Sequence, residues 1–175
     1  MTIAKQFLLS SIKRLKYYKE LADKTFEQLT DADLHFQPDN ESNSIAIIIQ
    51  HLAGNMLSRW TDFLTSDGEK EWRNRDQEFE EMQLSRKQLL DLWEKGWACL
   101  LNALEGLTEE DLVKTIHIRQ EGLLAVDAIN RQLAHYPYHV GQIVYIGRMI
   151  KGKAWKNLSI EKGASAQFNR SMNSR

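Results

Sequence analysis

Two histidines four residues apart, His135 and His139 in AHYPYHVGQ, are the first feature able to do chemistry. On a helix that spacing puts both imidazoles on one face, one turn apart, within reach of a single metal ion. At about 100° per residue, the pair falls among Leu124, Ala128, Ile143 and Ile146, on the margin of an apolar arc. An inward-facing histidine pair is costly unless satisfied, and a metal satisfies it. His51, in IIIQHLAGN, lies beside Ile47, Ile48 and Asn55. Helix geometry alone makes it a partly exposed residue just outside the apolar stripe. The combination changes its weight: one histidine comes from one helical half of the chain and a pair from the other. Three imidazoles meeting across a bundle leave a metal with open positions, the mark of a catalytic rather than a structural site. His35, in a loop, and His117, ahead of the last long helix, read as surface or locally hydrogen-bonded residues.

Such a metal would lower the pKa of bound water or of a coordinated thiol, so hydrolysis and thiol transfer are both open. Tyr136, Pro137 and Tyr138 fill the gap between the two histidines. A zinc peptidase places its glutamate base in that gap, so peptidase chemistry is disfavoured. Four neighbours are candidates for metal support or substrate binding. Asn55 and Gln142 sit one turn beyond His51 and His139, where metal-bound imidazoles need hydrogen-bond partners. Arg131, one turn before His135, could orient an anionic substrate or pair with Asp127, and Tyr138 flanks the pair. Pro137 removes a helix hydrogen bond at about 3 kcal/mol, a cost easier to explain if the kink aims the histidines. Cys99 reads as a structural thiol, with no cation or histidine near it in sequence.

Four helices must position these groups. Apolar residues at three- and four-residue steps predict helices over about 2–29, 45–64 and 85–105, and again from about Glu121 to Lys151. Ser42 or Ser44 caps the second, Ser85 with Gln88 forms a capping box on the third, and Gly106 ends it. The stretch 65–83 is dense in charge and aperiodic, a crossover of about twenty residues that reads as a solvated loop, a lid or a dimer contact. A crossover of that length favours a bundle whose second and third helices run parallel. Val113 to Arg119 is a short, extended piece. Leu29-Thr-Asp-Ala-Asp-Leu34 and Leu107-Thr-Glu-Glu-Asp-Leu112 form a weak internal repeat, each ahead of a histidine-bearing helix. Trp155, Leu158 and Ile160 are apolar enough to fold back on the bundle. The expected organisation is one domain over 1–168 and a disordered tail over 169–175.

Composition sets the outer bounds. Two prolines and nine glycines in 175 residues are too few turn-formers for a many-stranded β protein, so an all-α fold is expected. Lys and Arg number 23 against 24 Asp and Glu. That balance argues against nucleic-acid binding through bulk positive charge. One cysteine excludes an intrachain disulfide. No apolar run approaches the roughly 20 residues that span a bilayer. The opening MTIAKQFLLSSIKRL lacks a small-residue cleavage site and reads as a mature cytoplasmic start.

A helix carrying one histidine after an Asn-Ser-Ile start, then a last helix with His-x-x-x-His-x-Gly-Gln, resembles the DinB-like superfamily of four-helix bundles. The stretches NSIAIIIQHLAGNMLSRWTDFLTSDGEKEWRNRDQEFE, HYPYHVGQIVYIG and WKNLSIEKGASAQFN resemble one bacterial subgroup of unknown function, DUF1572. The resemblance runs from about Leu29 to Asn169. It implies an up-down-down-up bundle, often a homodimer. It also implies a divalent metal, commonly nickel or zinc, on His51, His135 and His139. Several relatives in the superfamily transfer low-molecular-weight thiols and some are labelled hydrolases. The leading expectation is therefore a metal-dependent transferase or hydrolase acting on a small thiol or other small substrate. The alternative is a metal-binding or dimerising bundle without enzymatic activity.

Overall fold

The computed structural model describes residues 1–39, 41–161 and 163–173, the last three as backbone only. The chain is mostly helical. α1 (Ile3–Phe26) starts at Thr2, whose hydroxyl accepts the Lys5 N–H at 3.1 Å. α2 is a single turn, Asp31–Leu34, where a loop is expected; Thr30 and Asp33 form a capping box that closes it. α3 (Ile45–Trp60) is capped by Ser44, the second of the two candidate serines. α4 (Arg86–Glu105) carries the Ser85–Gln88 capping box and ends at Gly106. α5 (Ala125–Lys151) runs through Pro137. α6 covers Ser165–Asn173.

The four long helices share one hydrophobic core, with α3 packed chiefly on α4 and α1 chiefly on α5. Trp93 and Trp97 on α4 and Tyr136 on α5 are fully buried in it. Trp93 meets Phe26 edge-on at 5.3 Å and donates to Asp23 Oδ1 at 2.8 Å, so its polar edge is satisfied as its ring is buried.

The all-α expectation needs correction. Thr115–Ile118 (β1) and Glu121–Leu124 (β2) pair antiparallel, with Ile116 opposite Leu123. α5 therefore begins at Ala125, not at Glu121. The turn residues Arg119 and Gln120 have φ of 56° and 64°. Positive φ at both central positions is the two-residue hairpin geometry that matches strand twist. Neither residue type favours that geometry, so its support is tertiary. Asp67, in the crossover, accepts the Arg119 N–H at 2.9 Å and the Gln120 N–H at 2.7 Å. The Gly68 N–H donates to the His117 carbonyl at 2.8 Å. The crossover is thus fastened to the hairpin instead of hanging in solvent, and Gln77–Phe79 forms a 3-10 turn within it.

The Leu-Thr repeat recurs as geometry: Asp33 Oδ2 accepts the Thr30 N–H and Asp111 Oδ2 the Thr108 N–H, each at 2.8 Å. The segment at Trp155 folds back as expected. Gln28 accepts the Lys156 N–H at 2.8 Å and donates to the Lys156 carbonyl at 3.1 Å. The sequence pattern places a disordered tail at 169–175, yet the backbone is helical through Asn173; residues 174 and 175 lie outside the described residues. Among the described residues no helix is long and apolar enough to cross a membrane.

Candidate metal centre

α3 and α5 bring the three histidines together. His139 Nε2 lies 3.1 Å from His135 Nε2, and His51 Nε2 lies 3.4 Å from the same atom. One ligand atom from each falls within 4.8 Å of the others. The i, i+4 spacing supplies two of them, as expected. His51 is 4 % exposed, against the partly exposed position that its helix alone suggests. The reason lies outside α3. The crossover covers that side of the helix, and every residue of α3 except Gly54 and Leu57 is buried.

Each outer ring nitrogen has an acceptor. His51 Nδ1 meets Glu78 Oε2 at 3.0 Å, His135 Nδ1 meets Gln132 Oε1 at 3.2 Å, and His139 Nδ1 meets Gln142 Oε1 at 2.7 Å. A carboxylate only accepts, so His51 must carry its proton on Nδ1. Gln142 is oriented in turn, its amide donating to the Tyr138 hydroxyl at 3.2 Å. With each Nδ1 turned outward to an acceptor oxygen, the three Nε2 atoms converge on one point. That arrangement is unfavourable in a buried site unless a cation accepts all three. The spacing suits one: tetrahedral ligands at about 2.0–2.1 Å from zinc stand about 3.3 Å apart. The donor set therefore fits a divalent metal ion, with the outer acceptors such ligands require.

The electrostatics favour neutral rings at His135 and His139. Burial pushes the His135 pKa down to about 3, helped by the neighbouring His139 and His51 and by Arg131 and Arg59. Burial also lowers His139, against the hydrogen bond to Gln142 that raises it. Burial alone would raise the Glu78 carboxyl, but its hydrogen bonds to Arg73 and His51 outweigh that and hold it below the ordinary glutamate value. Arg73 grips Glu78 with both arms, Nε to Oε1 at 2.7 Å and Nη2 to Oε2 at 2.8 Å. Glu69 continues the chain, 3.0 Å from Arg59 and 3.3 Å from Arg119.

The four supporting candidates meet different fates. Gln142 holds His139 and Tyr138 holds Gln142, the latter with its ring 5.0 Å from the His139 ring. Asn55 is buried beside the cavity, but it accepts the Tyr136 hydroxyl at 3.0 Å instead of holding His51. Arg131 lines the cavity. His35 bonds Glu81 and the Leu84 carbonyl, away from the cluster, and His117 is exposed on β1. Glu78, Arg73 and Phe79 are the residues that sequence pattern misses. All three lie in the charged crossover, where charge reads as solvation. One signal pointed there: Gly54, one turn beyond His51, leaves room for the Glu78 carboxylate, which a Cβ would strike.

A cavity of about 380 Å³ opens onto the histidines, walled by α3, α5, the hairpin turn and the crossover. Its size suits a small molecule.

No curated protein matches this chain. A solved structure, that of a conserved protein from Enterococcus faecalis, is 19 % identical. The match covers 87 % of this chain and 99 % of that one, with a TM-score of 0.64, and so speaks to the fold alone. A family described as a protein of unknown function (DUF1572) matches residues 2–164. The chain belongs to that family.

Proposed function

We propose that this protein is a metal-dependent enzyme, a thiol transferase or hydrolase, whose divalent ion, zinc or nickel, is held by His51, His135 and His139. The fold that carries the site is read as a DinB-like bundle of up-down-down-up topology, working as a homodimer. The observation behind this reading is the convergence of three Nε2 atoms whose Nδ1 partners are all acceptor oxygens. Three protein ligands facing a cavity distinguish an open catalytic site from a closed structural one. A cation held there acts as a Lewis acid and makes a bound water or thiol nucleophilic near neutral pH.

The chain's own residues do the rest. Glu78, Gln132 and Gln142 fix the tautomers and the aim of the imidazoles. Arg73 keeps Glu78 ionised and in place. Phe79, with its ring 4.7 Å from the His51 ring, shields that side from water.

Thiol conjugation and ester hydrolysis, assayed with zinc- and nickel-loaded protein free of any histidine tag, test the reading. Turnover lost in His135→Ala supports it. Stoichiometric metal binding without turnover on either substrate class would favour a non-enzymatic metal-binding bundle.

A further inference from the structure

Five arginines line the cavity above the histidines: Arg59, Arg73, Arg75, Arg119 and Arg131. Carboxylates offset part of that charge. Glu69 is shared by Arg59, Arg73 and Arg119, and Glu78 is held by Arg73. Asp67, which accepts the Arg119 N–H and lies near Arg59, is a third, and five guanidinium groups still outnumber the carboxylates around one small space. The whole chain has a net charge of −1, so this concentration is local. Like charges gathered this way repel one another and destabilise the folded state unless an anion offsets them.

The arginines divide by position. Arg59 and Arg73 are buried structural members, with side chains 6 % and 2 % exposed. Arg75, Arg119 and Arg131 are exposed at the rim. They come from three separate elements: the crossover, the hairpin turn and α5. Arg75 lies over the Phe79 ring, 5.5 Å from its centroid, which leaves the edge of its guanidinium free to donate. Neither Arg75 nor Arg131 makes an ion pair among the described residues. Forked donors on opposite sides of a cavity match the paired oxygens of a carboxylate or phosphate.

We propose that Arg75, Arg119 and Arg131 form an oxyanion-binding subsite, which holds a small substrate by a carboxylate or phosphate group and presents the remainder to the three histidines. The inference rests on reading the cavity as a substrate site, but anion binding itself requires neither metal nor turnover.

Calorimetric titration of the untagged, metal-stripped full chain tests it, with inorganic phosphate and malonate as probes and malonamide as the uncharged control. At least one anion is expected to bind, more weakly as salt is raised, and malonamide is not. The tighter of the two anions identifies the group. Arg75→Gln and Arg131→Gln are each expected to weaken binding about tenfold, the loss of one charge-assisted contact. Both residues are exposed, so unchanged melting temperatures will show that the variants fold. His135→Ala should keep the anion and lose the metal, while Arg131→Gln should keep the metal, so failure of either reading is seen separately. Failure of both anions to bind, equal binding of malonamide and malonate, or unaltered affinity in both glutamine variants would overturn the proposal.

Discussion

Glu78 and His51, 27 residues apart in sequence, meet at 3.0 Å between Oε2 and Nδ1 in a contact that leaves each about nine-tenths buried or more. The glutamate comes from an aperiodic crossover and the histidine from the most buried helix. Their pairing makes the crossover part of the three-histidine cluster. Because a carboxylate cannot donate, the pair also fixes which nitrogen of His51 is free.

Glu78→Gln should therefore weaken divalent-metal affinity by about 10- to 100-fold, the usual effect of removing an outer partner of a metal-bound histidine. Gly54→Ala should act in the same direction, because its Cβ would strike the Glu78 carboxylate. Competition against a chromogenic chelator measures both. Wild-type affinity in the two variants would mean that the crossover does not support the site.

The metal-free protein should lose stability as pH falls from about 6.5. His135 has its folded pKa pushed down to about 3, chiefly by burial and then by its neighbours His139 and His51. An unfolded imidazole titrates near 6.5. Above that pH the ring is neutral in both states and contributes no difference. Below it the unfolded chain takes up a proton that the folded chain refuses, so stability drains away between about pH 6.5 and 3. Scanning calorimetry of metal-free protein at pH 7, 6 and 5 should show falling melting temperatures, with a shallower fall in His135→Gln. An equally steep fall in that variant would contradict the assignment.

Tyr136 joins two elements at the floor of the site. Its hydroxyl accepts from Trp60 Nε1 at 2.9 Å and donates to Asn55 Oδ1 at 3.0 Å, all in the buried interior. Tyr136→Phe keeps the ring and strands both partners. It should cost about 1–3 kcal/mol, the penalty for buried groups left unsatisfied. Urea denaturation will read the loss, and metal stoichiometry should not change.

Asp67→Ala should loosen the hairpin without touching the histidines. Asp67 accepts the backbone N–H groups of Arg119 and Gln120, the two turn residues with positive φ. Amide hydrogen exchange over 115–124 should speed up, while exchange in α3 stays slow. Unchanged exchange in the hairpin would show that the turn holds itself.

Much of this was legible from local pattern. The periodicity at His135 and His139 and the serine caps of α3 and α4 depend on neighbours in sequence, and the fold-back at Trp155 follows from the apolar side chains in its own segment. What escaped depends on distant contacts. The Arg119–Gln120 turn has no favourable residue types and is held by Asp67, some fifty residues earlier. His51 is buried by the crossover, which no helical wheel includes. Glu78 and Arg73 look like solvated charges because composition counts charge without placing it. For the same reason a near-neutral total conceals a cavity lined by five arginines.

On the proposed reading, His51, His135 and His139 hold one divalent ion through their Nε2 atoms. Anomalous diffraction at the zinc and nickel edges, from crystals of untagged protein supplied with each metal, tests it most directly. A single peak per chain is expected within bonding distance of all three Nε2 atoms, absent in His135→Ala. Metal-supplied crystals with no peak there and the three rings in place, or with the peak elsewhere, would contradict it.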